Sequence, residues 1–318
     1  MKTFEFVPRS LHRPLALICA TALVAGYTAS ARDLKRSHKP PVEYSTRVVV
    51  TDLVRPTGIV AQGNHILYIT QLPTPGVPGS QGGLNTVDRI NLLNGRIRNL
   101  TTGEPEPTNL ALSKHGTLYW TCKSAGVILQ RTWWGQVSLF LGDLAQPSGI
   151  AVDRWDNVYF TLVPTPGVGG MAGGMNSVNV TDGETIVTLS DGEPEPSDVA
   201  VDRWGNVYWT CKSAGVILWR PAGGEVSLLL DGLNQPTGID VDHQGHELYF
   251  TEVPTPGVSG ANGGANQVSV LNLRTGELNV VDFGDPEPHD VTVALNGNIF
   301  WTCSSAGVIV EARKQRRW

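Results

Sequence analysis

Two short motifs, each present three times, gather residues able to do acid–base or hydrogen-bond chemistry. One reads WTCKSAG, WTCKSAG and WTCSSAG, and the other reads EPEPTNL, EPEPSDV and DPEPHDV. A lysine can polarise a carbonyl group, and a histidine can hold or move a proton near neutral pH. Lysine occurs in only two of the three WTC motifs and histidine in only one of the three acidic motifs, as expected for a site that binds an asymmetric ligand. The alternatives are sequence drift at the lysine positions and, for the histidine, an ordinary polar residue at the channel mouth. The predicted catalytic residues are Lys123, Lys212 and His289.

The acidic motifs and the tryptophan motifs predict the wall of a substrate pocket. Carboxylates would ring the mouth of the site, and the indole rings would supply apolar area, although the tryptophans could instead pack inside the fold. The residues predicted to line the pocket are Glu106, Glu195, Glu287, Glu252, Trp120, Trp209 and Trp301.

One oxygen-bearing side chain lies near the end of each acidic motif, after its acidic residues: Asn109, Asp198 and Asp290. Three such ligands converging on one axis could hold Ca²⁺ or Mg²⁺. The alternative, which we prefer, is that they cap local backbone groups. We therefore expect no cofactor and keep a divalent cation as the alternative.

Three cysteines also recur at equivalent positions: Cys122, Cys211 and Cys303. Symmetry argues against a disulfide among them. A trigonal thiolate metal site is one alternative. Burial as small apolar side chains is the expectation.

The spacing of the repeats predicts the elements that position these residues. A block reading PTGI or PSGI begins at Pro56, Pro147 and Pro236, and the acidic motif begins at Glu104, Glu193 and Asp285. Both spacings are about 90 residues, and each unit contains two related halves of about 45 residues, the period of a propeller blade. The sequence therefore predicts an all-β, six-bladed β-propeller made of three two-blade modules. Residues 47–53 would supply the last strand of the last blade and close the ring, leaving no unpaired sheet edge.

Three Gly/Pro-rich segments, residues 73–85, 164–176 and 254–266, each follow a predicted second strand. Hairpin loops normally need two to five residues. The segments are therefore either walls of a pocket or passive products of duplication.

The N-terminal residues have the pattern of a secretory signal peptide. Lys2, Arg9 and Arg13 precede a short apolar run, and Ala29-Ser30-Ala31 is an A-x-A cleavage site. The predicted organisation is a signal peptide (1–31), a basic linker (32–44), the propeller (45–312) and a basic tail (313–318). Two sequons, at Asn99 and Asn179, agree with a secreted or secretory-pathway location. No membrane span is expected after signal cleavage.

Charge limits the partners. The 318 residues carry 24 Lys and Arg against 29 Asp and Glu, a net charge of −5, and residues 43–312 alone carry 13 against 27. An acidic body argues against nucleic-acid binding. The expected partner is a small hydrophobic substrate molecule, and the oligomeric state stays open.

The run GIAVDRWDNVYFT from Gly149 resembles the strand–turn–strand core of NHL-type propellers, and the run from Asp198 resembles it too. The resemblance covers nearly all of residues 45–312 and extends to gluconolactonase-like and virginiamycin B lyase-like proteins. For the first group it implies a divalent metal in the channel, whose full ligand set does not map here. For the second it implies a His/Glu pair, which has no clear counterpart.

The leader, the PTPGV loops, the EPEP motifs and the WTCKSAG turns together resemble fungal secretory-pathway propellers that include hetero-Diels–Alderases of tropolone–sesquiterpenoid (meroterpenoid) biosynthesis. That resemblance implies a cyclisation enzyme that holds two reacting partners in register. The alternatives are a metal-dependent lactonase- or lyase-like enzyme and a non-catalytic secreted binding propeller.

Overall fold

Every regular element among the residues that the computed structural model describes is a β-strand. The structure describes residues 42–73, 85–164, 176–254 and 266–315, and within them it places 24 strands in six antiparallel sheets of four. The predicted signal peptide, almost all of the predicted linker, nearly all of the three Gly/Pro segments and residues 316–318 lie outside the described residues. No helix in the described ranges is long and apolar enough to cross a membrane.

The sheets follow one another along the chain as blades I to VI. Blade I contains β2 (Pro56–Gln62), β3 (Ile66–Gln71), β4 (Thr86–Asn91) and β5 (Arg96–Thr102). Blade II contains β6 (Pro107–Leu112), β7 (Leu118–Cys122), β8 (Val127–Arg131) and β9 (Val137–Leu141). Blade III contains β10 (Pro147–Val152), β11 (Val158–Leu162), β12 (Ser177–Thr181) and β13 (Ile186–Asp191). Blade IV contains β14 (Pro196–Val201), β15 (Val207–Cys211), β16 (Val216–Arg220) and β17 (Ser227–Leu230). Blade V contains β18 (Pro236–Val241), β19 (Glu247–Glu252), β20 (Gln267–Asn272) and β21 (Leu278–Phe283). Blade VI contains β22 (Pro288–Val293), β23 (Ile299–Cys303), β24 (Val308–Lys314) and the first strand of the chain, β1 (Tyr44–Val50).

The ring closes in blade VI, as the sequence predicts. Strand β1 pairs antiparallel with β24, from Tyr44 opposite Lys314 to Val50 opposite Ile309. The strand begins and ends three residues earlier than the predicted 47–53. Closure satisfies the edge of β24, which would otherwise be an unpaired row of backbone groups.

Apolar side chains from adjoining blades form the core. One cluster joins Ala200, Tyr208 and Ile217 of blade IV to Ile239 and Phe250 of blade V. Similar clusters lie between other pairs of blades, because each second strand is buried on both of its faces.

The innermost strands approach one another so closely that three positions need glycine. A Cβ atom added to Gly149 would lie 2.4 Å from the Asp198 Cα atom, and one added to Gly238 would lie 2.6 Å from the Asp290 Cα atom. The third contact, between Gly58 and the Asn109 Cα atom, would be 2.8 Å. The PTGI and PSGI blocks therefore place the three predicted oxygen ligands against the channel axis.

Candidate functional site

A cavity of about 160 Å³ opens at one end of the central channel, on the face from which the WTC turns project. Its lining includes these predicted site residues: Asn109, Lys123, Glu195, Asp198, Lys212, His289 and Asp290. Val163, the residue before the second Gly/Pro segment, lies in the same wall. The threefold repeat thus brings the predicted catalytic lysines and the histidine together in one site.

Backbone strain fixes the two lysines at the mouth of this cavity. The residue before each proline that opens an inner strand has a positive φ, between 47° and 56°. Such a conformation costs roughly 1–3 kcal/mol per residue and concentrates at functional sites. Two of the strained carbonyl groups accept the lysine N–H groups: Lys123 N donates to Glu106 O and Lys212 N donates to Glu195 O, both at 3.0 Å. The six strained residues are Arg55, Glu106, Gln146, Glu195, Gln235 and Glu287.

The electrostatic environment of His289 is strongly positive. Burial is the largest cause, and together with the charges of Lys212, Arg55 and Lys123 it lowers the pKa of His289 to about 4. The imidazole is therefore neutral at pH 7. No described carboxylate lies within salt-bridge distance of the ammonium group of Lys123 or Lys212. Among the described residues, the two ammonium groups thus have no salt-bridge partner, although Glu195, Asp198 and Asp290 line the same cavity.

Asp198 lies at the floor of the cavity and is held by backbone and side-chain donors. Its Oδ1 atom accepts hydrogen bonds from Val199 N and from Asn109 Nδ2, both at 2.8 Å, and its Oδ2 atom accepts one from Ile239 N at 3.0 Å. The amide oxygen of Asn109 accepts from Leu110 N at 2.6 Å. Burial raises the pKa of Asp198 to about 7, although these backbone donors oppose the shift.

Asp290 faces Asp198 across the channel. Its oxygens accept from Ile59 N and Val291 N, both at 2.8 Å, and its carboxyl group also hydrogen-bonds that of Asp198. Burial and the charge of Asp198 both raise the pKa of Asp290 well above its usual range. Because two buried carboxylates in contact cannot both ionise cheaply, the pair holds one proton near neutral pH.

A third channel carboxylate, Asp240, was not predicted from the sequence. It accepts from Val293 N at 2.8 Å and from Thr292 Oγ1 at 3.2 Å, and burial raises its pKa to about 6. Its equivalents in the other two modules are Val60 and Ala151, so no repeated motif marked it. Arg55, which helps to lower the pKa of His289, also lies outside the motifs.

The ring of Asn109, Asp198 and Asp290 does not fit a divalent cation as it stands. Each carboxylate oxygen already accepts a backbone N–H, and Asn109 turns its NH₂ group, not its oxygen, toward Asp198. Within the described ranges no group of three or more His, Cys, Asp or Glu side chains is arranged to hold a metal ion. The side chains cap backbone groups of neighbouring strands, as in the preferred alternative.

The three WTC tryptophans lie away from the cavity lining. Trp120, Trp209 and Trp301 are fully buried within their blades. The Nε1 atom of Trp209 donates to Glu193 Oε2 at 3.3 Å. Equivalent bonds join the other two to Glu104 at 3.2 Å and to Asp285 at 2.5 Å. A buried indole N–H requires an acceptor, and the first acid of each acidic motif supplies it. The pocket role predicted for these tryptophans is therefore not supported by their positions.

The three cysteines are buried, as expected, and the described residues contain no disulfide between them. Cys122 and Cys211 point their Sγ atoms at the same carboxylates, 3.8 Å from Glu104 Oε2 and 3.5 Å from Glu193 Oε2. Burial raises the pKa of Cys122, and the charge of Glu104 adds to the increase. A protonated thiol next to a carboxylate has no tendency to form a thiolate metal site.

Three further predicted pocket residues lie outside the cavity lining. Glu252 is buried, and it accepts hydrogen bonds from Asn234 N at 2.8 Å and from Gln267 Nε2. It therefore fastens the end of β19 to neighbouring segments of blade V. Glu106 and Glu287 are half-buried strained residues of the mouth, and of the three equivalent glutamates only Glu195 lines the cavity.

The two sequons differ in accessibility. Asn99 is exposed on β5. Asn179 is only 2% exposed on β12, where its Nδ2 atom donates to Ser177 Oγ at 2.8 Å and its Oδ1 atom accepts from Thr188. The folded blade leaves no room for a glycan at Asn179, which corrects the prediction for that residue.

Comparison with known proteins finds the fold but no sequence relative. No protein-family model and no curated protein matches the chain. A gluconolactonase from Xanthomonas campestris superimposes with a TM-score of 0.65 at 16% identity, over 88% of this chain and 96% of that one. The calcium-binding protein regucalcin from Agrobacterium tumefaciens gives 0.64 at 12% identity, over 86% and 95%.

Virginiamycin B lyase from Staphylococcus aureus also superimposes, with a TM-score of 0.56 at 17% identity, over 86% of this chain and 99% of the lyase. Another structure contains a catalytically inactive variant of that lyase with quinupristin. What these proteins share with the chain is the fold. This chain is a six-bladed β-propeller whose structural neighbours include gluconolactonases and virginiamycin B lyase.

Proposed function

We propose that the chain is a propeller enzyme of the lactonase or lyase type, acting on a small molecule whose reacting carbonyl group becomes negatively charged in the transition state. The observation that carries the proposal is the positive mouth of the cavity. There Lys123 and Lys212 flank a neutral His289, and no described carboxylate pairs with either ammonium group. The lactonase and lyase folds among the structural neighbours support the same class.

In this proposal the lysines stabilise the developing oxyanion. Opening of a lactone ring passes through a tetrahedral oxyanion, and elimination from an ester passes through an enolate. One preorganised donor at such an oxygen contributes roughly 10²- to 10³-fold in rate. Lys123 and Lys212 approach from equivalent positions in blades II and IV, so both can reach a single group at the cavity centre.

His289 is the proposed proton acceptor. Its pKa of about 4 makes it a weak base in the free protein. The oxyanion that forms during the reaction would offset the charges of Lys212 and Lys123, so the pKa of the imidazole would rise as that negative charge develops. The imidazole of His289 would therefore become a stronger base only while substrate is bound.

The calcium-binding neighbour favours a divalent cation only as the alternative to a metal-free site. Because the axis oxygens are engaged with backbone donors, we derive no step through a metal.

A second candidate is the hetero-Diels–Alder-type cyclisation of a small hydrophobic substrate in secondary metabolism. The specific observation in its favour is again His289, because a residue with a pKa of about 4 is poorly matched to proton transfer at pH 7. A cyclisation needs no proton transfer. It needs only that the reacting partners are held together and that a donor such as Lys123 or Lys212 polarises a carbonyl group.

The proposed location is the secretory pathway or the exterior of the cell, with glycosylation at Asn99. The support is the leader pattern of residues 1–31 and the exposed position of Asn99.

The first test is turnover by the purified protein of three probes: δ-gluconolactone, a γ-lactone with an alkyl chain, and quinupristin. We expect ring opening of at least one probe. The double variant Lys123→Met/Lys212→Met should lower kcat by about 10²-fold or more. Lys314→Met, which removes an exposed lysine of β24, should leave kcat unchanged.

The second test separates the two candidates. If no lactone or ester is opened, the gene is deleted in the source cell and its metabolites are profiled. Loss of a cyclised product, with scrambled adducts in its place, supports the cyclase. An unchanged profile together with inert probes overturns both candidates and leaves the non-catalytic binding propeller.

A further inference from the structure

On the face opposite the cavity, the turns that join the first two strands of blades II to IV present exposed tryptophans and basic side chains, of which Lys114 and His115 pair with the carboxylate of Asp156. In blades III and IV these turns read DRWDN and DRWGN. Asp153 and Asp202 bind the backbone of their own turns: Asp153 Oδ1 accepts from Trp155 N at 2.7 Å, and Asp202 Oδ1 accepts from Trp204 N at 2.8 Å. The buried aspartates therefore hold both indole rings at the surface, where they are 54% and 47% exposed.

The turns are joined from blade to blade into a continuous arc. Lys114 Nζ of blade II donates to Arg154 O of blade III, and Arg154 Nη1 donates to Arg203 O of blade IV at 3.5 Å. The Trp204 ring covers Gly245 in blade V, where an added Cβ would lie 2.2 Å from the ring. The hairpin between β8 and β9 adds Trp133, 72% exposed, next to the turn of blade II.

Each indole ring of the two DRW turns carries a guanidinium group on its surface. The Arg154 Cζ atom lies 4.3 Å from the centre of the Trp155 ring, and the Arg203 Cζ atom lies 5.0 Å from that of Trp204. Cation–π contacts of this kind hold both groups in place. Among the residues that the structure describes, neither guanidinium has a carboxylate within 4.0 Å. The arginines are thus oriented but electrically unpaired.

We propose that this arc binds a polysaccharide that carries carboxylates, a polyuronate chain. The exposed part of each indole ring can pack against the C–H groups of a pyranose ring, and the guanidinium beside it matches a carboxylate with two parallel hydrogen bonds. The pair occurs in two adjacent blades, III and IV, which suits two carboxylate-bearing sugars of one linear polymer.

The test is binding of polygalacturonate to the purified protein, followed by tryptophan fluorescence and by isothermal titration. A neutral β-glucan of matched length and vesicles of phosphatidylserine and phosphatidylcholine serve as comparison probes. We expect saturable binding of polygalacturonate only, weakened by added salt. The variants Trp204→Ala and Arg203→Gln should each weaken binding by about tenfold, the usual loss at a dominant contact.

Phe283→Ala is the matched control, because Phe283 is an aromatic side chain 63% exposed outside the arc. Its binding should equal that of the unaltered protein. Equal binding of the neutral glucan, binding of the vesicles without the polyuronate, or no saturable binding of any probe overturns the proposal. So does binding that survives both arc substitutions.

Discussion

The carboxyl groups of Asp198 and Asp290 meet across the channel axis and share a hydrogen bond. They belong to equivalent strands of blades IV and VI, whereas the third equivalent position, in blade II, holds Asn109. The asparagine donates its N–H to Asp198 at 2.8 Å. Replacing one of three symmetric carboxylates by an amide thus reduces the negative charge that the axis must bury.

The pair makes stability depend on pH in a defined direction. The pKa of Asp198 is raised to about 7 in the folded state. A raised carboxyl pKa means that the folded protein binds the proton more tightly than the unfolded chain, so stability falls as pH rises through that value. We expect the melting temperature to be higher at pH 6.5 than at pH 8. The variant Asp290→Asn should flatten this change, and an unchanged slope in the variant would contradict the assignment.

The imidazole of His289 should titrate far below the usual range. Its pKa of about 4 reflects burial and the charges of Lys212, Arg55 and Lys123. An NMR titration should find the midpoint near that value, and Lys212→Met should raise it, while the exposed-site variant Lys314→Met should not. A midpoint near 6.5 in the unaltered protein would show that the mouth is not strongly positive.

Addition of Ca²⁺ or Mg²⁺ should leave the melting temperature unchanged. The carboxyl groups of Asp198 and Asp290 share a proton and Asn109 turns its NH₂ group toward Asp198, so a cation would have to displace the proton and reorient the amide. Thermal scans across a range of metal concentrations measure this directly. A saturable rise in melting temperature that Asp198→Asn abolishes would mean that the ring rearranges to bind metal.

Gly149→Ala should be strongly destabilising. The new Cβ atom would lie 2.4 Å from the Asp198 Cα atom, so backbone on one side of the channel must move. We expect a loss of roughly 3 kcal/mol or more in the free energy of unfolding. Gly142→Ala is the matched control, because its Cβ would meet only the Leu139 side chain, at 3.7 Å. Equal denaturation midpoints for the two variants would refute the close-packing argument.

Removing the indole N–H of Trp209 should destabilise the fold, because it leaves the buried Glu193 carboxylate with one donor fewer. In Trp209→Phe the Glu193 carboxylate loses a donor inside the blade. An unsatisfied buried polar group costs roughly 1–3 kcal/mol, and repacking of the smaller ring adds to the loss. Trp134→Phe, at a ring 63% exposed, should have little effect on chemical denaturation. Comparable losses for the two variants would contradict this role.

The sequence predicted the fold because blade stacking is repetitive. A 90-residue period in two halves leaves few architectures, and the requirement to close the sheet edges assigns the first strand of the chain to the last blade. The gathering of Lys123, Lys212 and His289 followed from the same symmetry, because equivalent positions in a ring face a common axis.

Other features of the site could not be predicted, because they depend on contacts between blades. The position of Trp209 depends on Glu193, which lies 16 residues earlier and becomes its neighbour only in the folded blade. Asp240 carries no repeated motif. The positive φ of Glu195 conflicts with the usual preference of a residue before proline, so only the assembled mouth accounts for it.

The closure of blade VI has a consequence for how the chain is made. Arg47 of β1 pairs with Glu311 of β24 at 2.6 Å, although 264 positions separate them. A strand made near the start of synthesis must therefore wait, without its partner, until nearly all of the chain has emerged. Blades I to V can assemble in order during that time, but the ring becomes a closed object only when its two ends meet. A circularly permuted chain, with its new ends in a different blade, should form the same ring but close it in that other blade.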